Sequence, residues 1–204
     1  MYSQNNEEAV IGAQLARLGL TGGRFLEIGA FDGVTFSNTY RLVKEEGWSG
    51  VAVEASPFVF PKLVANLAAH PQVELVNAAI TADDNWRGLT KWHDSGGDAI
   101  STTDESHVAK WVAGSNIRFT AFWINMLPLD KLLAAFGYDY TLINIDVEST
   151  NVSIFSALPF EKLAATKIIC VEHDNAVSLL TEHARNFGFE PVALNAENLI
   201  LARK

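Results

Sequence analysis

The chain has 204 residues, 49% hydrophobic and 19% charged, the balance of a globular domain long enough to bury one full core. A formal charge of −9 repels polyanions and acidic membrane surfaces, which argues against nucleic-acid and membrane partners. The one cysteine, Cys170, excludes an intramolecular disulfide, and its setting in "KIICVE" marks it as a core thiol.

The opening "MYSQNNEEAV" carries acids where a signal peptide would carry a basic stretch, and no apolar run approaches the ~20 residues of a membrane span. The expected compartment is the cytoplasm. Residues 7–18 place Val10, Ile11, Ala13, Leu15 and Leu18 roughly on one helical face, and "GLTGG" ends that helix. A strand is expected at 24–29, a helix at about 35–46 stopped by "GWSG", and a short strand at 51–56. A helix in "PKLVANLAAH" and a third strand over 73–80 follow. Between 81 and 125 the pattern degrades into a polar stretch holding Gly96-Gly97 and Trp86, Trp92 and Trp111, with short strands only at 88–93 and 117–124. Such a long irregular insertion is expected to act as a lid or binding loop.

Regularity returns with a helix over 128–137, a strand over 140–147 and a helix from Asn151. A strand over 167–172, a helix over 176–188 and two closing strands complete the chain. Alternating strands and helices predict one α/β domain over 1–204, with a mostly parallel sheet covered by helices on both faces. The last two strands have no helix between them, so one of them should run antiparallel.

Ligands of such sheets bind beyond the carboxyl ends of the strands. The stretch "RFLEIGAFDGVTFSN" supplies Glu27, Gly29, Ala30 and Gly33 there, with Gly-x-x-x-Gly in place of the dinucleotide Gly-x-Gly-x-x-Gly. Glu54 and Ala55 follow the second strand, Asn77 and Ala78 the third, Asp146 to Glu148 the fourth, and Glu172, His173 and Asp174 the fifth. This acid-rich rim disfavours a pyrophosphate and suits a ligand with a cationic end and a ribose. S-adenosylmethionine has both: Glu54 can accept from its ribose hydroxyls, while Glu27 and Asp146 can hold its ammonium. Two chemistries fit the far side of the rim. Asp146, Glu172 and Asp174 could hold a divalent metal such as Mg²⁺ that orients a substrate diol, or His173 or Asp146 could serve as general base. The plain structural alternative is that Asp174 or Asn175 caps the next helix. Trp92, Trp111 and Trp123 are candidates for an aromatic platform, and Ser101 and His107 for a lid.

"FLEIGAFDGVTFSNT", "GWSGVAVEASP", "LPLDKLLAAFG", "LINIDVES" and "IICVEHD", in that order, resemble the FkbM family of methyltransferases over roughly residues 23–190. The resemblance implies the Rossmann-like class I methyltransferase sandwich, with a seven-stranded sheet and an antiparallel C-terminal strand. It also implies S-adenosylmethionine as cofactor and methylation of hydroxyl oxygens on sugars or natural products. Glu27, Gly29 and Gly33 match the family's cofactor turn, Ser37 and Asn38 its "SN" helix start, Glu54 its ribose acid, and Asp146 and Glu148 its "DVE". Three positions depart from the pattern: Asn144 stands for a lysine, Ser149 for a glycine and Asn151 for a glutamate. The partner implied is a small-molecule or glycan acceptor, and a homo-oligomer is compatible with the sequence. The competing readings are a binding module of the same fold without turnover and a nicotinamide-dependent reductase, which the missing glycine fingerprint disfavours.

Overall fold

The computed structural model describes residues 1–114 and 117–204; Ser115 and Asn116, within the expected 81–125 insertion, lie outside the described residues. The elements in order are α1 (Glu7–Arg17), β1 (Arg24–Ile28), α2 (Tyr40–Glu46), β2 (Ser49–Glu54), α3 (Phe60–Leu67), β3 (Val73–Asn77) and β4 (Ala79–Thr81). Then come β5 (Leu89–Asp94), α4 (Glu105–Gly114), β6 (Thr120–Pro128), α5 (Leu129–Phe136) and β7 (Leu142–Ile145). The chain closes with α6 (Asn151–Ser156), β8 (Ile168–Glu172), α7 (Val177–Arg185), β9 (Phe189–Leu194) and β10 (Asn198–Arg203).

The main sheet has the order β3-β2-β1-β7-β8-β10-β9. All its neighbours are parallel except β10, which runs antiparallel to both β8 and β9. Alternation along the strands explains why both faces are covered. Leu26 and Ile28 of β1, with Val51, Val53, Ile143 and Ile145, face one core with Leu132, Phe155 and Leu180 of α5, α6 and α7. Phe25, Ala52, Leu142 and Cys170 face the other, against Ile11, Leu42 and Leu63 of α1, α2 and α3. The helices contribute residues at helical spacing: Leu63 and Leu67 of α3, Leu129, Leu132 and Leu133 of α5, Leu180 and Ala184 of α7. Among the described residues, no helix is long and apolar enough to cross a membrane.

Three local expectations need correction. The helix expected from about residue 35 begins only at Tyr40. The Asp32 carboxylate accepts from the Val34 and Thr35 amides, Phe36 takes φ 60°, and Ser37 Oγ accepts from the Tyr40 amide at 3.0 Å, so side-chain hydrogen bonds hold 32–39 as a loop. The strand expected over 73–80 is two strands. It breaks at Ala78, and β4 leaves the main sheet to pair in parallel with β6. The expected irregular insertion is largely ordered: β4, β6 and β5 form a three-stranded sheet, and 105–114 is the helix α4.

Candidate functional site

The carboxyl ends of β1, β2, β7 and β8 open into one cavity of about 780 Å³, within the ~300–1,000 Å³ range of small-molecule sites. α4 and the loop before it cover one side. Gly29 lies at the cavity floor with φ 92°, and a Cβ there would strike the backbone carbonyl oxygen of Asp146. Its amide and that of Ala30 both donate to the Val53 carbonyl at 2.9 Å, which pins the β1 turn to β2. Gly33 (φ 77°) lies outside the cavity wall; it leaves room for Leu63, whose Cδ1 would stand 2.5 Å from an added Cβ.

Glu54 and Glu27 hold this turn from both sides. Glu54 Oε2 accepts from the Phe31 amide at 2.9 Å and Oε1 from the Ser56 amide at 2.6 Å. Glu27 Oε2 accepts from Thr39 Oγ1 at 2.7 Å. Both acids, with Ala30, Ser37, Ala55 and Ala78, line the cavity. Asn38 and Asn77 stand outside its wall. The Asn38 amide donates to Asn144 Oδ1 at 3.0 Å, and that of Asn77 to the Glu54 and Ala55 carbonyls. They brace the strand ends that carry the site.

On the far side, Asp146, Glu148, Glu172 and Asp174 face the cavity. The expected metal set of Asp146, Glu172 and Asp174 is not formed: among the described residues no group of three or more His, Cys, Asp or Glu is arranged to hold an ion. Asn151 explains the difference. Fully buried, it donates through Nδ2 to Glu172 Oε2 at 2.6 Å and to Asp174 Oδ2 at 3.1 Å, and its Oδ1 accepts from the Val147 amide at 2.8 Å. A neutral amide thus bridges the two carboxylates. No feature of the sequence identified this role for Asn151.

His173 also lines the cavity, but its ring is committed to backbone. Nδ1 accepts from the Asn175 amide at 3.1 Å, which leaves the proton on Nε2, 3.4 Å from the Asn195 carbonyl. Its basic lone pair is therefore engaged, and the expected general-base role is not supported by this geometry. The other imidazole at the cavity is His107 of α4. Its Nδ1 lies 2.9 Å from Ser149 Oγ, and its Nε2 lies 3.5 Å from Glu148 Oε2. Ser101, Trp92 and Trp111 line the same side, whereas Trp123 is 67% exposed and outside the wall, so the expected three-tryptophan platform reduces to two. Gln4 and Glu197 reach the cavity from the chain's two ends, a long-range meeting that local patterns do not reveal. Among the described residues, seven non-glycine residues have positive φ. Six of them (Phe31, Phe36, Glu148, Ser149, Asp174 and Asn175) line this cavity, as strained backbone tends to at functional sites.

Eight carboxylates and a single lysine, Lys110, face the cavity. Burial first, opposed by hydrogen bonds, raises Glu27 and Glu54 to about 7. Burial and then the charge of Glu148 raises Asp146 to about 7. Burial and then neighbouring acids raise Glu148 and Glu172 to about 8. A raised carboxylate contributes stability that is complete below its unfolded value and is lost as pH climbs through its folded value. His107, lowered chiefly by burial, runs the opposite way, one group against five. The melting temperature of the ligand-free protein should therefore fall steadily between about pH 5 and about pH 8. A flat or rising profile by scanning calorimetry would contradict this electrostatic picture.

A family profile described as the methyltransferase FkbM domain matches residues 27–176, from the β1 acid to the start of α7. The chain belongs to the FkbM methyltransferase family. Solved structures resembling this FkbM protein share its fold at low identity. A precorrin-6y C5,15-methyltransferase from Geobacter metallireducens is 13% identical, with a TM-score of 0.50 over 95% of this chain and 85% of that one. Podospora anserina methyltransferase PaMTH1, solved with S-adenosylhomocysteine, is 12% identical, with a TM-score of 0.50 over 96% and 76%. Aeropyrum pernix fibrillarin, solved with natively bound S-adenosylmethionine, is 11% identical, with a TM-score of 0.50 over 97% and 76%. No curated protein sequence matches the chain. Family and fold make this FkbM protein a class I, S-adenosylmethionine-dependent methyltransferase.

Proposed function

We propose that the protein methylates a hydroxyl oxygen of a sugar or natural-product small molecule, with S-adenosylmethionine bound across the ends of β1, β2 and β7. The observation that carries this reading is the acid-lined cavity at the carboxyl ends of β1, β2 and β7, floored where Gly29 lets the β1 turn pack directly against the Asp146 backbone. The residues present fit the cofactor. Glu54 would take the ribose hydroxyls, Glu27 and Asp146 the ammonium, and Ala30, Ser37, Ala55 and Ala78 would wall the remainder. Two phosphates would meet only repulsion there.

When bound, S-adenosylmethionine supplies a methyl group already activated by its sulfonium. The chain's own work is alignment, exclusion of water and acceptance of the hydroxyl proton. Alignment of this kind can contribute about 7–11 kcal/mol. Asp146, raised to about 7 in the ligand-free protein, is driven to its ionised form by a cofactor ammonium beside it, and a carboxylate so placed can accept the hydroxyl proton, a contribution of about 10²–10⁴ in rate. α4 and the β5–α4 loop, which carry Ser101, His107 and Trp111, close the acceptor side.

Calorimetric titration with S-adenosylhomocysteine, with NADH as control, tests the reading. Micromolar binding that is lost in Glu54→Ala is expected, while NADH is silent. NADH binding without S-adenosylhomocysteine binding would replace the methyltransferase with a nicotinamide enzyme. Cofactor binding with no methyl loss to any hydroxyl acceptor would leave a binding module.

A further inference from the structure

Resting on the cofactor reading above, we infer that the side-chain amide of Asn144 is the donor that holds the carboxylate of S-adenosylmethionine, beside the Glu27 that takes its ammonium.

The methionyl end of the cofactor carries an ammonium and a carboxylate on one carbon. An acid that holds the first therefore needs a hydrogen-bond donor close by for the second. Donors are scarce here, because the turn after β1 has spent its own. The Gly29 and Ala30 amides donate to the Val53 carbonyl, the Phe31 amide to Glu54, and the Thr35 amide and hydroxyl to Asp32. The Thr39 hydroxyl donates to Glu27, and Ser37 Oγ accepts from the Thr39 and Tyr40 amides. Gln4 Nε2 donates to Glu197. Lys110 is carried by α4, where its charge acts on Glu148.

Asn144 is the exception. It is only 3% exposed and yet lines the cavity. Its Oδ1 accepts from Asn38 Nδ2 at 3.0 Å, which fixes the amide and leaves Nδ2 without a partner among the described residues. Glu27 and Asn144 are register partners in parallel strands, and adjacent strands lie about 4.8 Å apart. An acid and an amide donor thus stand side by side, as the two groups of an amino-acid carbon require. The row of register partners across the sheet is Ala52, Glu27, Asn144 and Cys170. Its outer members belong to the apolar core against α1, α2 and α3, where an unpaired amide is costly and an apolar side chain would fit. A ligand that accepts from Nδ2 removes that cost.

The test is calorimetric titration of the full chain with two ligands. One is S-adenosylhomocysteine; the other is its decarboxylated analogue, S-adenosyl-3-thiopropylamine, which keeps the nucleoside, the sulfur and the ammonium. Asn144→Ala, and Asn144→Leu with nearly the original volume, should each weaken S-adenosylhomocysteine about tenfold or more and the analogue by no more than about twofold. Equal losses for the two ligands overturn the inference, as does unchanged affinity for S-adenosylhomocysteine. Retained binding of the analogue shows that the variants fold. Should neither variant fold, ¹⁵N spectra of the unaltered chain decide: the Asn144 side-chain amide protons should move downfield with S-adenosylhomocysteine and not with the analogue. The same shift with both ligands, or with neither, overturns the inference. Failure of the wild-type chain to bind S-adenosylhomocysteine overturns the cofactor reading itself, and is seen before any variant is made.

Discussion

Gly29→Ala is expected to cost about 3–5 kcal/mol, combining left-handed backbone strain with overpacking. For a chain of this size that is a fall of about 10 °C or more in melting temperature. The size of the effect follows from what the new Cβ would meet. The Asp146 carbonyl oxygen is backbone, and the Asp146 amide is itself tied to the Ile28 carbonyl at 2.9 Å. Nothing flexible can give way: relief requires β1 and β7 to part at the cavity floor. Gly47→Ala is the matched control. It has φ 68° and open space around it, so only the conformational cost of about 1–2 kcal/mol remains. Equal losses in the two variants, by thermal melts, would show that the close approach of β1 to β7 has no energetic weight. S-adenosylhomocysteine affinity should be lost at Gly29 and retained at Gly47.

Asn151→Asp has the second large effect. The change is nearly isosteric, but it turns the donor toward Glu172 and Asp174 into a third carboxylate with no exposure to water. Placing an uncompensated charge there costs about 3–5 kcal/mol at alkaline pH. Because the cost requires ionised acids, it should shrink as pH falls from about 8 toward about 5 and the cluster protonates. Denaturant titrations of wild type and variant at both ends of that range measure the difference directly. A pH-independent loss would mean that the amide acts by shape and not by charge. Asn151→Ser, which keeps a small neutral donor, should lose less.

The strand parity that makes two cores was legible in the sequence, since Leu26 and Ile28 alternate with Phe25 and Glu27 in plain view. The same alternation, with the rule that ligands sit at carboxyl strand ends, located Glu27, Gly29, Glu54 and Asp146 in one cavity wall. The break at Ala78 was not legible, because "VELVNAAI" stays apolar and strand-forming across the change of sheet. α4 was hidden for the opposite reason: none of its residues is buried, so no helical face was written into its sequence. Among the histidines, nothing local separates His173 from His107. The difference is which nitrogen a distant amide or hydroxyl engages, and that depends on Asn175 and Asn195 at one ring and Ser149 at the other. Asn151 is only a departure when compared with a pattern, yet it is a bridge between Glu172 and Asp174 when its partners are seen.

The departure of β4 from the main sheet has an evolutionary consequence. α4 and the loop that covers one side of the cavity are carried by one continuous stretch, from β4 to β6, whose two ends lie side by side because Ala79 pairs with Met126 and Thr81 with Pro128. No strand of the main sheet falls within that stretch. A cassette with neighbouring endpoints can be exchanged between relatives while the strand ends of the main sheet stay intact, so this side of the cavity can diverge without rebuilding the sheet that floors it.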